Sequence, residues 1–257
     1  LKKEMKPITI SDIANPNIKE FLTLKDKQAK AEEYIICESE KVFKKLLNSP
    51  YKILKVLSDS VFFEKYTSEL QQVECFLASS KLLQEITGYN AHHGVLVKAE
   101  RPQLVPLKEL GEKILVLNGI TSPENCGAIV RNCAGFNITS LIIDDKSVSP
   151  YLKRCIRVST GNIFALKVHH TYNLKKTLKN LQESGHQVVS TANRQDAIPL
   201  KNFEAPDKIA LIIGSEGHGI ESEVLEISDR ILKIEVNPEV EHLNAACSSA
   251  IFLYTLS

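Results

Sequence analysis

Residues 209–220 read IALIIGSEGHGI: an unbroken apolar run, Ile209 to Ile213, passes straight into Gly214, Gly217 and Gly219, with Ser215, Glu216 and His218 set between them. A strand that is apolar on both faces, not alternating, is what a central strand of a parallel sheet needs, because helices cover such a sheet on both sides. The glycines that follow permit left-handed backbone and close approach of a ligand. The end of an apolar strand is also where open α/β sheets bind their ligands. As a phosphate loop the segment is poor. It has no Lys-Ser/Thr pair, its glycines miss the dinucleotide spacing, and Glu216 would repel a phosphate. A neutral or cationic ligand fits better.

Working outward, the same strand, turn, helix rhythm fills the second half of the chain. Strands are expected at 113–117, 140–143, 187–190, 208–213 and 230–234, and helices at 125–136, 172–184, 221–226 and 244–256. This pattern predicts a parallel sheet with helices on both faces. Two further segments place polar groups at strand ends. In NGITSPENCGAIVRNCAGF (118–136), Ser122-Pro123-Glu124 starts a helix that carries Asn125 and Arg131 and whose other face is apolar. Arg131 calls either for an anionic ligand or for a salt bridge to Glu124 or Asp144. In IEVNPEVEHLNAA (234–246), a strand leaves through Asn237-Pro238 and reaches the last helix at His242-Leu243-Asn244. Asn244 is a side-chain cap candidate for that helix, and His242 is a base, a ligand-facing donor or a capped surface residue.

The first half is patterned differently. Two prolines and a polar turn in RPQLVPLKELGEK mark a boundary, so the expected domains are 1–107 and 108–257. Domain 1–107 is expected to hold a helix at 17–32, a strand at 34–37, a helix at 39–48 and strands at 53–57, 74–78 and 94–98. Its helix faces are Lys-rich (Lys19, Lys25, Lys27, Lys30, Lys41, Lys44, Lys45), which reads as a solvated face or as phosphate binding.

Composition narrows the field. The chain has 257 residues, 32 Lys+Arg against 31 Asp+Glu, and 43% hydrophobic residues, enough for a large buried core. The two halves carry net charges of +2 and −1, so a nucleic-acid partner must be held by local patches. No apolar run reaches the ~18 residues of a membrane span, and the Lys-rich start lacks a signal core. Six scattered cysteines without CxxC pairs suit reduced thiols. The expectation is a cytoplasmic protein without a membrane segment. Metal binding is not expected, since His92-His93 and His169-His170 are adjacent pairs and Cys126 and Cys133 lack partner ligands. Lys153, Arg154 and Arg157, after Pro150, stand either as a phosphate-binding cluster or as a solvated helix face.

Taken in order, these segments resemble the motifs of the SpoU or TrmH-like branch of the SPOUT RNA 2′-O-ribose methyltransferases. The first motif, N-x-G-A-I-x-R-x-x-x-x-F, is matched by Asn125, Gly127, Ala128, Ile129, Arg131 and Phe136. The second, an apolar strand followed by G-S/A-E-G-x-G, is matched by Gly214 to Gly219. The third, S-L-N, appears as His242-Leu243-Asn244. YIICESEKVFKKLL and AHHGVLVKAERP in the first half resemble the small α/β RNA-binding domain that many members carry ahead of the catalytic domain. The chain departs from the pattern at Ser39, at Asn137, at Ser159-Thr160-Gly161-Asn162, and at Glu235, Val236, Pro238 and His242, where proline, methionine, glycine and serine are usual.

The resemblance implies a small N-terminal α/β RNA-binding domain, then a parallel-sheet catalytic domain with a C-terminal trefoil knot, a topology that general chain-connection rules leave as a rare exception. It implies a homodimer and an RNA substrate, ribosomal or transfer. It also implies S-adenosyl-L-methionine held by Gly214, Ile234 and Leu243 with Thr191-Ala192. Arg131 would face the ribose and its phosphate, and Asn125, Glu216 and Asn244 would complete the site. Methyl transfer to a ribose hydroxyl is an in-line displacement, which needs positioning and help with one proton. A guanidinium holds its proton too firmly to be a good base, so orientation and charge stabilisation suit Arg131 better. The alternative reading is a non-catalytic RNA-binding or ribosome-assembly protein that keeps the fold. A nucleotide-dependent oxidoreductase is disfavoured because no glycine fingerprint follows the first strand.

Overall fold

The computed structural model describes residues 6–22, 33–88, 94–237, 239 and 243–256. The second part of the helix expected at 17–32, with Lys25, Lys27 and Lys30, lies outside these residues. So do His92, His93, Pro238 and His242. The chain divides into two compact units, Leu1–Pro102 with Tyr151–Phe164, and Gln103–Pro150 with Ala165–Ser257.

In the first unit, β1 (Ile8–Ile10), a 3-10 turn (Pro16–Ile18) and α1 (Lys19–Leu22) lead into β2 (Tyr34–Glu38), α2 (Glu40–Leu47) and β3 (Ile53–Ser58). There follow α3 (Ser60–Lys65), α4 (Thr67–Leu70), β4 (Glu74–Ala78), α5 (Ser80–Thr87) and β5 (Val95–Glu100). The sheet runs β1-β4-β3-β5-β2 and is mixed: β3 is parallel to β4 and antiparallel to β5, which is antiparallel to β2. Helix α2 forms because Val42, Phe43 and Leu46 fall on one face and Ser39 accepts from Val42 N at 3.4 Å as its cap. Phe43 then stacks edge-on with Phe62 and Tyr66, centroids 5.0 and 4.9 Å away.

The second unit carries β6 (Lys113–Asn118), α6 (Pro123–Gly135) and β7 (Ser140–Asp144). After α7 (Lys153–Val158) come β8 (Lys167–Thr171), α8 (Leu174–Glu183), β9 (Gln187–Thr191), β10 (Ile198–Pro199), β11 (Ile209–Gly214), α9 (Ser222–Leu225), β12 (Arg230–Lys233) and α10 (Ala245–Leu256). The sheet order is β10-β12-β9-β11-β6-β7-β8, and every pairing is parallel. Residues 209–213 lie in the middle of this sheet with all five side chains buried, as their uniform apolarity requires. Leu174, Leu178 and Leu181 of α8 cover one face, sharing a core with Ile114, Ile142 and Ile212 of the strands.

Two strands beyond the five expected complete the sheet. β8 reads KVHHT and β10 is only Ile-Pro. Both are edge strands, where one side of the ladder meets no further strand and polar residues or proline are tolerated, so neither shows the apolar run that marks β11.

The compact units also differ from the boundaries 1–107 and 108–257. The division falls after Pro102, and Tyr151–Phe164 joins the first unit. The segment is attached by its buried Cys155 and Ile156 and by an ion-pair cluster. Glu38, 4% exposed at the end of β2, pairs with Lys153 Nζ at 3.3 Å and with Arg157 Nη1 at 2.8 Å. Two of the three cations read as phosphate binders or a solvated face are therefore counter-ions to a buried carboxylate, which draws α7 onto β2.

Candidate active site

The site grows from the C-terminal ends of β11 and β6, paired at Gly214 and Asn118. After Gly214 the chain folds back on itself. Ser215 N donates to Gly219 O at 3.1 Å, Gly219 N donates to Ser215 O at 2.9 Å, and His218 N donates to Ser215 Oγ at 3.2 Å. Gly219 takes φ +66, a left-handed conformation that favours glycine. Gly214 is required for a different reason. A Cβ there would lie 2.4 Å from the Gly219 carbonyl carbon and 2.6 Å from Ile220 N, both backbone atoms. The turn thus presents Glu216 from a rigid base.

One helix start meets that carboxylate and a second is joined to it through Asn244. Ser122 caps α6 by accepting from Asn125 N at 3.2 Å, with Pro123 in the first turn, as SPEN predicts. Asn244 precedes α10 and caps it, its Oδ1 accepting from Ala246 N at 2.9 Å and Cys247 N at 3.3 Å. Asn244 Nδ2 is then free to donate elsewhere, and it reaches both Asn125 Oδ1, at 3.1 Å, and Glu216 Oε1. Glu216 Oε1 also accepts from Ala245 N at 3.3 Å, placing negative charge at the N-terminus of α10. Asn125, Glu216 and Asn244, drawn from three distant motifs, therefore form one hydrogen-bonded cluster. Asn132 fastens α6 to α10 beside it, Nδ2 donating to Ala246 O at 2.8 Å and to Ser249 Oγ at 2.9 Å.

Arg131 is not part of that cluster. It is exposed on α6, and among the described residues it makes no salt bridge to Glu124 or Asp144. Asp144 is turned instead to Asn118 Nδ2, at 2.9 Å, and to the Gly119 and Ser147 amides, at 3.0 and 2.8 Å. Of the two readings of Arg131, the ion pair therefore does not form among the described residues, and the side chain is exposed on α6.

Beside the cluster lies a cavity of about 420 Å³, and Glu216 is in its wall. Thr191, Ala192, Gly214, Ile234 and Leu243 all line it. Thr191 Oγ1 donates to Ile212 O at 2.9 Å, which ties the end of β9 to β11. Lys233, Ser248 and Phe252 also line it and were not anticipated. Ser248 and Phe252 are four apart on α10, the spacing of a single helix face, and that was the available signal. Lys233 gave none. Its Nζ donates to Arg194 O at 3.0 Å and Gln195 O at 3.4 Å, holding the turn that follows β9.

An open parallel α/β sheet with its cavity at the strands' C-terminal ends defines the class of protein. Within it, the profile of the SpoU rRNA Methylase family matches residues 112–254, more than half the chain, and the chain belongs to that family. The uncharacterized tRNA/rRNA methyltransferase of Mycobacterium bovis is 26% identical over 228 residues, 86% of this chain and 79% of that protein. The 23S rRNA (guanosine(2553)-2'-O)-methyltransferase RlmP of Bacillus subtilis is 23% identical over 250 residues, 96% of this chain and 98% of that one. The same fold is seen in the AdoMet-bound rRNA methyltransferase from Sinorhizobium meliloti, with a TM-score of 0.84 at 19% identity over 96% of each chain.

Proposed function

We propose that the protein is an S-adenosyl-L-methionine-dependent RNA methyltransferase acting on a ribose 2′-hydroxyl of ribosomal or transfer RNA. The observation that carries this reading is the meeting of Asn125, Glu216 and Asn244 beside a cavity lined by Gly214, Ile234, Leu243, Thr191 and Ala192. Family membership and the 2'-O-methyltransferase of Bacillus subtilis among its relatives support it.

The cavity fits the cofactor. Its volume lies within the ~300–1,000 Å³ range of small-molecule sites. Gly214 lets the turn at its wall close on itself where a side chain would collide with backbone, and an acidic wall at Glu216 suits a cationic sulfonium. When bound, S-adenosyl-L-methionine supplies an electrophilic methyl group. The chain's own residues supply positioning and charge balance, and the 2′-hydroxyl proton passes to the substrate phosphate or to water. The turns at Thr191-Ala192, Gly214 and Ile234 hold the donor through backbone groups, and Arg131 holds the substrate phosphate and orients the ribose. The Asn125–Asn244–Glu216 cluster fixes the relative position of α6, α10 and the glycine turn, and its carboxylate balances positive charge near the reacting hydroxyl.

The same reading assigns the unit built on β1–β5 to RNA binding, ties the C-terminal part of the chain in a trefoil knot, pairs two copies in a homodimer and locates the protein in the cytoplasm. Its test uses purified full-length chain, S-adenosyl-L-methionine and total RNA from a strain lacking the gene. The expected result is a new 2′-O-methylated nucleotide, lost in R131A while RNA binding persists. RNA binding without donor binding or methylation would favour the non-catalytic alternative.

A further inference from the structure

Behind the glycine turn lies a buried carboxylate to which no role has been given. Asp144, 3% exposed at the end of β7, accepts from Asn118 Nδ2 and Gly119 N on Oδ2 and from Ser147 N on Oδ1. An ionised carboxylate only accepts hydrogen bonds, so it dictates which way the Asn118 amide faces. With Nδ2 committed to Asp144, Oδ1 of Asn118 is turned outward, and there it accepts from Glu221 N at 2.9 Å. Glu221 is the second residue after Gly219, where the turn that presents Glu216 ends. The loop leaving Asp144 holds the same point a second time, through the ion pair of Lys146 with the Glu221 carboxylate.

We propose that Asp144 is a positioning residue, acting through the Asn118 amide to anchor the exit of the Gly214–Gly219 turn and so to fix Glu216 against Asn244. The inference rests on the functional reading above and extends it to residues that touch neither cavity nor cluster. The logic is one of polarity. Asp144 demands a donor from residue 118, and Glu221 N demands an acceptor from it, and only an amide in one orientation meets both. In D144N one of the two oxygens becomes an NH2: turned to Ser147 it costs that amide its acceptor, and turned to residue 118 it favours the flipped Asn118, sets Nδ2 of residue 118 against the Glu221 N–H and leaves Gly119 N without its acceptor.

The test is turnover in D144N and in the exchanged pair N118D/D144N. In the exchanged pair a carboxylate at 118 accepts from the amide at 144 with one oxygen and from Glu221 N with the other, restoring the anchor at Glu221 with polarity reversed while Gly119 N gives up its acceptor on residue 144. D144N is expected to lower kcat about tenfold or more, with the KM for RNA unchanged and the fold retained by circular dichroism. The exchanged pair is expected to recover most of that loss. An exchanged pair no better than D144N, or D144N with wild-type kcat, overturns the inference. If the pair does not fold, D144N and N118A must then show the same drop in kcat without adding in N118A/D144N, and additive losses overturn it. Wild-type protein without any methyl transfer points instead to failure of the functional reading.

Discussion

Asn244 Nδ2 donates to Asn125 Oδ1 at 3.1 Å, joining the first turn of α6 to the start of α10 across more than a hundred residues of chain. The same nitrogen meets Glu216, so a single amide hydrogen-bonds both other members of the cluster.

Asn244 has two separable tasks, and substitutions distinguish them. Its Oδ1 caps α10, while its Nδ2 holds the cluster. N244D keeps the capping acceptor, removes the donor and sets a second carboxylate against Glu216. Methyl transfer is expected to fall about 100-fold while α10 stays capped. N244A loses both tasks, and its melting temperature should drop further, by the equivalent of about 1 kcal/mol. Wild-type turnover in N244D would remove the cluster from the mechanism.

Gly214 tests the cavity. A methyl group at this position meets the backbone of Gly219 and Ile220 at 2.4–2.6 Å, and backbone cannot swing away as a flexible side chain would. G214A is expected to displace the turn, cost about 1–3 kcal/mol of stability and abolish donor binding in a calorimetric titration. Unaltered affinity would show that the donor binds elsewhere.

Lys233 tests a residue that the sequence did not mark. Its ammonium holds the Arg194 and Gln195 carbonyls and so the wall that continues from Thr191-Ala192. A hydrogen bond to a charged group contributes about 1.5–3 kcal/mol, and this one is reached by solvent, so its loss should weaken donor binding by about three- to tenfold. K233M is expected to raise the KM for the donor and leave kcat and RNA affinity unchanged, with K233R partly restoring it. An unmoved donor KM would reduce Lys233 to a surface contact.

What the sequence made legible follows from where each signal is stored. The central strands and the glycine turn could be read because burial on both faces forces uniform apolarity, and close backbone approach forces glycine. β8 and β10 could not, since an edge strand escapes both demands. Thr191, Ala192, Ile234 and Leu243 entered only through the family resemblance, because small or apolar side chains at strand ends carry little signature. Lys233 escaped notice because its work is done through main-chain carbonyls, which any sequence supplies, and the Asn118–Asp144 pairing because its two members are 26 residues apart. The pairing of Glu38 with Lys153 and Arg157 spans more than a hundred residues, so the three cations looked free when read locally.

The first unit carries its own titration. Glu40, in the first turn of α2, accepts from Tyr66 Oη at 2.6 Å and pairs with Lys44 and Lys65, each at 3.0 Å. The Tyr66 hydrogen bond, followed by those from the two lysines, lowers its carboxyl from 4.5 to about 2. A carboxyl whose value is lower in the folded chain contributes stability that is complete above 4.5 and is lost as pH falls toward about 2. Y66F removes the largest of these causes but keeps the ring packed on Phe43 and Phe62. In urea unfolding, Y66F is therefore expected to be less stable than wild type near neutrality and to converge on it as the pH drops through that window. Two stability curves that stay parallel across the window would show that the Tyr66 hydroxyl does not govern Glu40.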